Sequence, residues 1–436
     1  MITILDRPNS FTRSGQRLIF TAESTLVGNT NFRYVVKITD VFNSLDTTHL
    51  VQPNYSNKLM FDISHAVRPH VHGALTFAAG EVAQQSGLFY NTSLQTFWKV
   101  EIGEGWDIAG TFTVDTGSFI DATDYSGCPN LCLIPGAYTL SDGYKKAPTE
   151  YVLNGTTSTL MTDRRHGMHR PDTFKYGLNT NNTIVYIPVE DWEQGVIAFT
   201  AQGWGADDNY IASTTENVRA RMQLFTSTGT PISAVSPTDV FDTGVQVVTL
   251  GCYPATLNNS EELVILTDYP NWRWYDIWLV ANNGTTRISN IYRFYRIERP
   301  CDERYVQLQW FNDRLGGFEQ FTYRLVSESK SGEFIEYETS PDAWGGAAFG
   351  QVAEEFTRTK KAKKTADRIW TLDTGSLEEA EYKYAISVIT SSSVFMLVPG
   401  LTFPLPVMID ASTASAPTRN GVKRQRGQIT VKEINI

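Results

Sequence analysis

Alternation of apolar and polar residues with a period of two is the feature that most restricts this chain. Phe32, Tyr34, Val36 and Ile38 recur on one side of a short run, while Arg33, Lys37 and Thr39 fall on the other. Successive side chains of an extended strand point to opposite faces, so the run reads as a strand with one buried face. Comparable runs occur at 18–22, 95–102, 111–114, 183–188, 196–202, 219–225, 245–250, 263–267, 274–281 and 292–298. Turn residues separate them: Asn154-Gly155, Asn283-Gly284, Gly229-Thr230-Pro231 and Gly316-Gly317. Many short strands joined by such turns point to packed sheets rather than a parallel sheet with crossover helices. No period of 20–50 residues marks a solenoid or propeller.

Helical signals are few. Ser376-Leu377-Glu378-Glu379 has capping-box spacing, with Ser376 as the predicted cap and Glu379 three residues on. Leu377, Ala380, Tyr384, Ala385 and Val388 would form the apolar face of the helix that follows. A single helical turn is predicted over 63–67, stopped by Pro69.

These signals divide the chain into a first sandwich over 1–114 and a loop-rich insertion or connector over 115–182. A second sandwich covers 183–326, a linker 327–355, and a basic β module with the capped helix 356–436. Charge follows this division. The whole chain carries 37 basic and 47 acidic residues, net −10, but residues 357–436 hold 12 basic and 7 acidic, which leaves −15 for the rest. Two runs make the rear basic: Arg358, Lys360, Lys361, Lys363 and Lys364, then Lys423, Arg424 and Arg426. Lysines on exposed strand edges block aggregation; alternatively, the runs form an interface for an acidic neighbour, such as the front of another copy. The overall negative charge, and the lack of stacking aromatics within the runs, argue against nucleic acid as a partner. The longest apolar stretch, 394–409, is broken by Pro399, Pro404 and Pro406, so no membrane span is expected, and Asp6, Arg7, Pro8 and Asn9 interrupt any signal-peptide core.

Motifs for chemistry are scarce. The chain has no P-loop, no Gly-x-Ser-x-Gly elbow and no His-Glu-x-x-His. Cys128 and Cys132 have the spacing of half a zinc clip, but no second pair follows; with Cys252 and Cys301 they read as ordinary small apolar residues. His65, His70 and His72 cluster without a completing acid, and the run from Arg164 through His166 to His169 reads as an exposed loop or interface. The pairs Glu190-Asp191 and Asp207-Asp208 could serve hydrolysis, but adjacent acids are commonplace in strand loops. No cofactor, metal or catalytic residue is assigned. The aromatic run Trp272, Trp274, Trp278 is read as burying Trp278 and presenting Trp272 or Trp274 at an interface or sugar-stacking platform.

Three regions carry a family likeness. Phe32-Arg-Tyr-Val-Val-Lys-Ile38, Phe61-Asp-Ile-Ser-His-Ala-Val67 and Trp98-Lys-Val-Glu-Ile-Gly-Glu104 follow one another at the front. In the middle, Val306-Gln-Leu-Gln-Trp310-Phe-Asn312 leads through Gly316-Gly317-Phe318 to Phe321-Thr-Tyr323. The helix at 377–388, the run Ser391-Ser-Ser-Val-Phe-Met-Leu397 and Pro404-Leu-Pro-Val-Met-Ile409 close the chain. In this order they resemble structural virion proteins of tailed bacteriophages of Bacteroidetes hosts, crAss-like phages included. The sequence departs from that pattern with Glu319 where aspartate is usual and one extra residue before Leu315. The glycine turn also makes physical sense alone: Trp310, Phe318, Phe321 and Tyr323 can pack around a tight turn that admits positive φ.

The resemblance implies a fibronectin-like opening domain, so the expected fold is mainly β: tandem Ig/fibronectin III-like β-sandwich domains with a C-terminal mixed module containing one short helix. It implies no catalytic residue. The expected function is a structural subunit of the virion, in the tail, neck or a capsid appendage, assembled in the host cytoplasm. It would act by homo-oligomerisation and by contact with other virion proteins. The alternative is a carbohydrate-binding adhesin for a host-surface glycan, and an enzyme of glycan hydrolysis is the third reading.

Overall fold

The structure is a computed structural model. It describes residues 1–41, 45–71, 88–90, 96–125, 130–134, 136–137, 153, 156, 158, 160–165, 168, 184–200, 203–204, 210–211, 218–232, 236–237, 247–257, 266–281, 285–338, 359–391, 393–399, 404–410 and 424–433. The chain is mainly β, with several sheets, as the alternation predicts.

At the front, a three-stranded sheet of Ile2–Asp6, Ile19–Ser24 and Lys58–Asp62 shares a core with a six-stranded sheet. In the latter, Arg33–Asp40 pairs antiparallel with Thr96–Ile108 and Asp46–Val51. Phe32, Tyr34, Val36 and Ile38 are all buried, and Arg33, Lys37 and Thr39 are half-exposed, so the predicted faces hold. The unit does not end at 114. Thr111–Asp121 continues past it, and Leu131–Ile134 enters the same sheet, antiparallel to Thr96–Ile108 and parallel to Phe11–Arg13. The helical turn is longer than predicted: residues 64–71 are helical, straight through Pro69. Asp62 starts it by accepting hydrogen bonds from the Ser64 and Leu18 N–H groups at 2.9 and 3.0 Å.

In the middle, a five-stranded sheet runs in the order Ile184–Val189, Ile291–Arg296, Trp274–Val280, Arg219–Phe225, Ser236–Pro237. It shares a second core with the sheet of Val196–Thr200, Val247–Gly251 and Leu88–Tyr90. The run Val196-Ile-Ala-Phe199 is apolar without alternation because both faces are covered. Val196 and Ala198 belong to the front core, Ile197 and Phe199 to the middle one.

The rear is a closed six-stranded antiparallel barrel. Its order is Tyr305–Phe311, Phe318–Glu338, Thr359–Asp373, Gln428–Glu433, Leu405–Asp410 and Val394–Leu397, which pairs back with Tyr305–Phe311. The expected spans cut across this pairing. The predicted linker 327–355 begins inside a strand, and the predicted boundary at 326 separates strands of one barrel, since the charged residues of 327–338 hid a strand signal.

The helix Glu379–Ile386 packs on the barrel through Tyr384 and Ala385. Its cap is Glu378, not the predicted Ser376. Leu377 exchanges two backbone hydrogen bonds with Gln425, at 2.8 and 2.7 Å, which keeps it extended and delays the first turn. The Glu378 N–H then donates to the Glu381 carboxylate at 3.1 Å, so the capping logic holds two residues later. Among the described residues, no helix is long and apolar enough to cross a membrane.

Candidate functional site

The three cores are tied together by the described part of the expected connector. Leu153 and Leu160 enter the middle core, Met161 the front core and Met168 the barrel core. Between them, Thr162, Asp163 and Arg164 meet the glycine turn at 312–317 in a buried polar junction.

The turn is built by Asn312. Its side-chain oxygen accepts from the Arg314 and Leu315 N–H groups, both at 3.1 Å, and its carbonyl from Gly316 N–H at 2.7 Å. Gly316 has φ +80°, where a side chain is strained. Gly317 has no room for one, since a β-carbon there would stand 2.0 Å from the Met161 carbonyl oxygen. The front unit reaches the turn as well: the buried Arg13 guanidinium donates to the Arg314 carbonyl, and Ala137 N–H to the Asp313 carbonyl at 2.7 Å. Of the four rings expected around the turn, Trp310, Phe321 and Tyr323 share the barrel core and Phe318 leaves it. Trp310 lines the barrel core, Phe318 turns into the front core against Phe311, and half-buried Phe321 meets Tyr323 edge-on at 4.9 Å.

Glu319 is the centre of the junction. Its carboxylate accepts from the Thr162 hydroxyl at 2.9 Å, the Tyr384 hydroxyl at 2.8 Å and the Asp163 N–H. Arg164, expected on an exposed loop, is buried. It donates to the Tyr253 hydroxyl at 3.2 Å and to the Gln320 carbonyl, and lies 4.6 Å from the Tyr384 ring centre. Asp163 pairs with Arg314 and accepts from Asn312 Nδ2 at 2.7 Å. Burial, reinforced by the Asp163 charge, pushes the Glu319 carboxyl up to about 7, against the pull of Arg164. The sequence could not locate this network, because Arg164 and Glu319 lie on segments with no periodic signal linking them.

A cleft of about 680 Å³ opens between the middle unit and the barrel. Trp192, Tyr305 and Trp370 supply rings, and Glu190, Arg299 and Glu303 supply charge. Arg299 holds Glu190 at 2.9 Å and Glu193 at 2.7 Å, and Trp192 Nε1 donates to Glu190 at 2.6 Å. Asp191 pairs with Arg296. The Tyr305 hydroxyl, with Arg324 at 2.8 Å, holds the Glu303 carboxyl below its usual range. Burial raises that of Glu193 against the pull of Arg299. Glu190 and Asp191 therefore stand in ion pairs on the wall of the cleft.

No protein-family model and no curated protein matches the chain.

The predicted surface residues scatter. Trp272 and Trp274 are buried, at 4% and 9% exposure, and Trp278 is half-exposed, the reverse of the expected burial. Trp274 is covered by Phe225, stacked at 5.6 Å, and by Arg293, whose guanidinium grips Asp276 with two bonds of 2.7 Å. Trp272 packs edge-on against Tyr275 at 5.4 Å. Lys360, Lys361, Lys363 and Lys364 lie along one strand, Thr359–Asp373. Arg424 and Arg426 are both exposed, and Arg426 pairs with the buried Asp373. Arg358, Lys423, Cys128, His72, His166, His169, Asp207 and Asp208 lie outside the described residues. Among the described residues, no group of three or more His, Cys, Asp or Glu could hold a metal ion.

Proposed function

We propose that this chain is a structural subunit of a bacteriophage virion, in a tail, neck or capsid-appendage position, that works by oligomeric assembly. One observation carries the assembly reading. Phe318–Glu338 and Thr359–Asp373 run far beyond the barrel, which otherwise ends at the pairings Tyr305↔Arg324 and Ile369↔Lys432. Past those points, 330–338 and 359–368 pair only with each other among the described residues. At ~3.3 Å per residue the ribbon extends roughly 30 Å. An isolated two-stranded ribbon is marginal in water, so an arm of this length gains its stability from a neighbour. The virion assignment rests on the three motif regions, and the Ig/fibronectin III-like reading of the front and middle units is supported by two sheets sharing a core in each. Quantitative mass spectrometry of purified particles tests it. A fixed copy number per particle is expected, and a soluble protein absent from particles would sink the reading.

A second reading, a carbohydrate-binding protein of the virion, draws on the cleft, where Trp192 and Tyr305 stand beside ion-paired carboxylates. Planar rings flanked by fixed charges suit sugar stacking and hydroxyl recognition. A glycan array decides between them. Binding that Tyr305→Ala abolishes supports a receptor role; no binding leaves assembly as the reading.

A further inference from the structure

The two strands of the arm have opposite charge. Along 327–338 lie Glu328, Glu333, Glu336 and Glu338 with one cation, Lys330. Along 359–368 lie Lys360, Lys361, Lys363, Lys364 and Arg368 with one acid, Asp367. The register within the arm neutralises them only in part. Of the four glutamates, only Glu336 stands directly opposite a cation, Lys361. Glu333 faces Thr365, Glu338 faces Thr359, and Lys330 faces Arg368, a like-charge pair. Each strand has its other edge unpaired over these residues, among those described. The arm therefore offers one acidic strand edge and one basic strand edge, back to back.

Charges that serve only to keep a strand edge solitary work with either sign. Segregation by edge does something different. It makes the acidic edge of one copy attractive to the basic edge of the next, and each edge repulsive to its own kind. We propose that the arms of neighbouring copies pair edge to edge, the 327–338 strand of one against the 359–368 strand of the next. The occupant of each edge is thus a second copy of this chain. This deepens the assembly reading above and rests on it.

Geometry follows from the topology. The two strands of an arm are antiparallel, so arms placed side by side, pointing the same way, continue an up-and-down antiparallel sheet. The contact uses two different surfaces on each copy, which is a head-to-tail interface. Such interfaces generate closed rings when the rotation between copies closes. A ring of arms would be a second, intermolecular barrel with no free edge, the state that best protects exposed strand edges.

Charge reversal on the full chain tests this. Glu333→Lys, Glu336→Lys and Glu338→Lys together make both edges basic; Lys360→Glu, Lys361→Glu and Lys363→Glu together make both acidic. Analytical ultracentrifugation at low salt is expected to show oligomers for the wild-type chain and a ten-fold or greater loss of association for either triple variant. The six-fold variant, with both edges reversed, is expected to associate again. Thermal melting of each variant reports whether the barrel remains folded, and association on mixing the two triple variants, each of whose arms keeps like charges on its own two strands, excludes an unfolded arm as the cause of the loss. Oligomers that survive all three variants unchanged overturn the arm pairing while leaving assembly through another surface. A wild-type chain that stays monomeric at every concentration and salt overturns arm pairing, and absence from particles separately overturns the virion reading.

Discussion

Gly317 sits against the Met161 carbonyl so closely that a β-carbon would stand 2.0 Å from the oxygen, and this contact joins the barrel turn to the segment that threads all three cores. Gly316, next to it, has open conformational requirements of a different kind, a φ of +80°. The two glycines are therefore expected to fail differently. Gly316→Ala should cost about 1 kcal/mol, the ordinary charge for a left-handed residue. Gly317→Ala must move backbone and should cost about 3 kcal/mol, as for severe overpacking. Urea denaturation of the two variants measures the difference, and equal losses would contradict the close approach.

Glu319 predicts a pH dependence with a definite sign. Its carboxyl is raised to about 7 in the folded chain from an ordinary value near 4.5. Between those values the folded state holds a proton that the unfolded state releases, so raising the pH through this window lowers stability. Glu319→Gln keeps an acceptor toward Thr162 and Tyr384 without a titrating charge. Relative to wild type, this variant should gain about 3 kcal/mol in going from pH 4 to pH 8. Melting both proteins across that range checks it; a constant gap between the two would refute the assignment.

Much of this architecture was legible in local pattern. The alternation at 32–38 gives the buried face correctly, and Gly316-Gly317 marks a turn that the structure makes with Asn312. The failures have a common cause, which is covering by residues distant in sequence. Trp274 alternates as a surface residue would, but Phe225 and Arg293 close over it. Arg164 sits in a polar run that reads as solvent-exposed, yet Tyr253, Gln320 and Tyr384 enclose it. Ser376 has the better capping chemistry, but the bridge between Leu377 and Gln425 overrides it. The 327–338 segment escapes notice because its charges hide its alternation, and only its pairing with Thr359–Asp373 reveals it.

Burial of the tryptophans changes what their truncation reports. Trp274 stacks on Phe225 at 5.6 Å and Trp272 meets Tyr275 at 5.4 Å, the latter within the middle core. Trp272→Ala or Trp274→Ala should each destabilise the fold by about 3–5 kcal/mol, the range for large aromatic truncations. Trp278→Ala, at a half-exposed position, should cost much less. Denaturation midpoints of the three variants rank them, and loss of assembly in the first two without loss of stability would contradict their place in the packing.

Arg424 and Arg426 stand two residues apart in one basic run, and the structure gives them unequal work. Arg426 Nε lies 2.8 Å from an Asp373 carboxylate that is itself buried and also accepts from Arg324 at 3.1 Å and from the Gly375 N–H at 2.7 Å. Burial opposes ionisation of Asp373, but Arg426, the Gly375 N–H and Arg324 outweigh it and hold the carboxyl below its usual range. The stabilisation is present above the ordinary carboxylate pKa and is lost as pH falls through the lowered value. Arg426→Ala removes the first of these partners and, because the Arg426 side chain is 56% exposed and screened by solvent, should cost about 1 kcal/mol at neutral pH. Arg424→Ala, at an exposed position, should stay within ~0.5 kcal/mol of wild type. The gap between the two should narrow in acid, where protonated Asp373 no longer needs its cation. Urea melts at pH 7 and through the acid range measure both numbers, and an Arg426→Ala loss that persists undiminished after Asp373 takes up its proton would show that the pair acts through packing rather than charge.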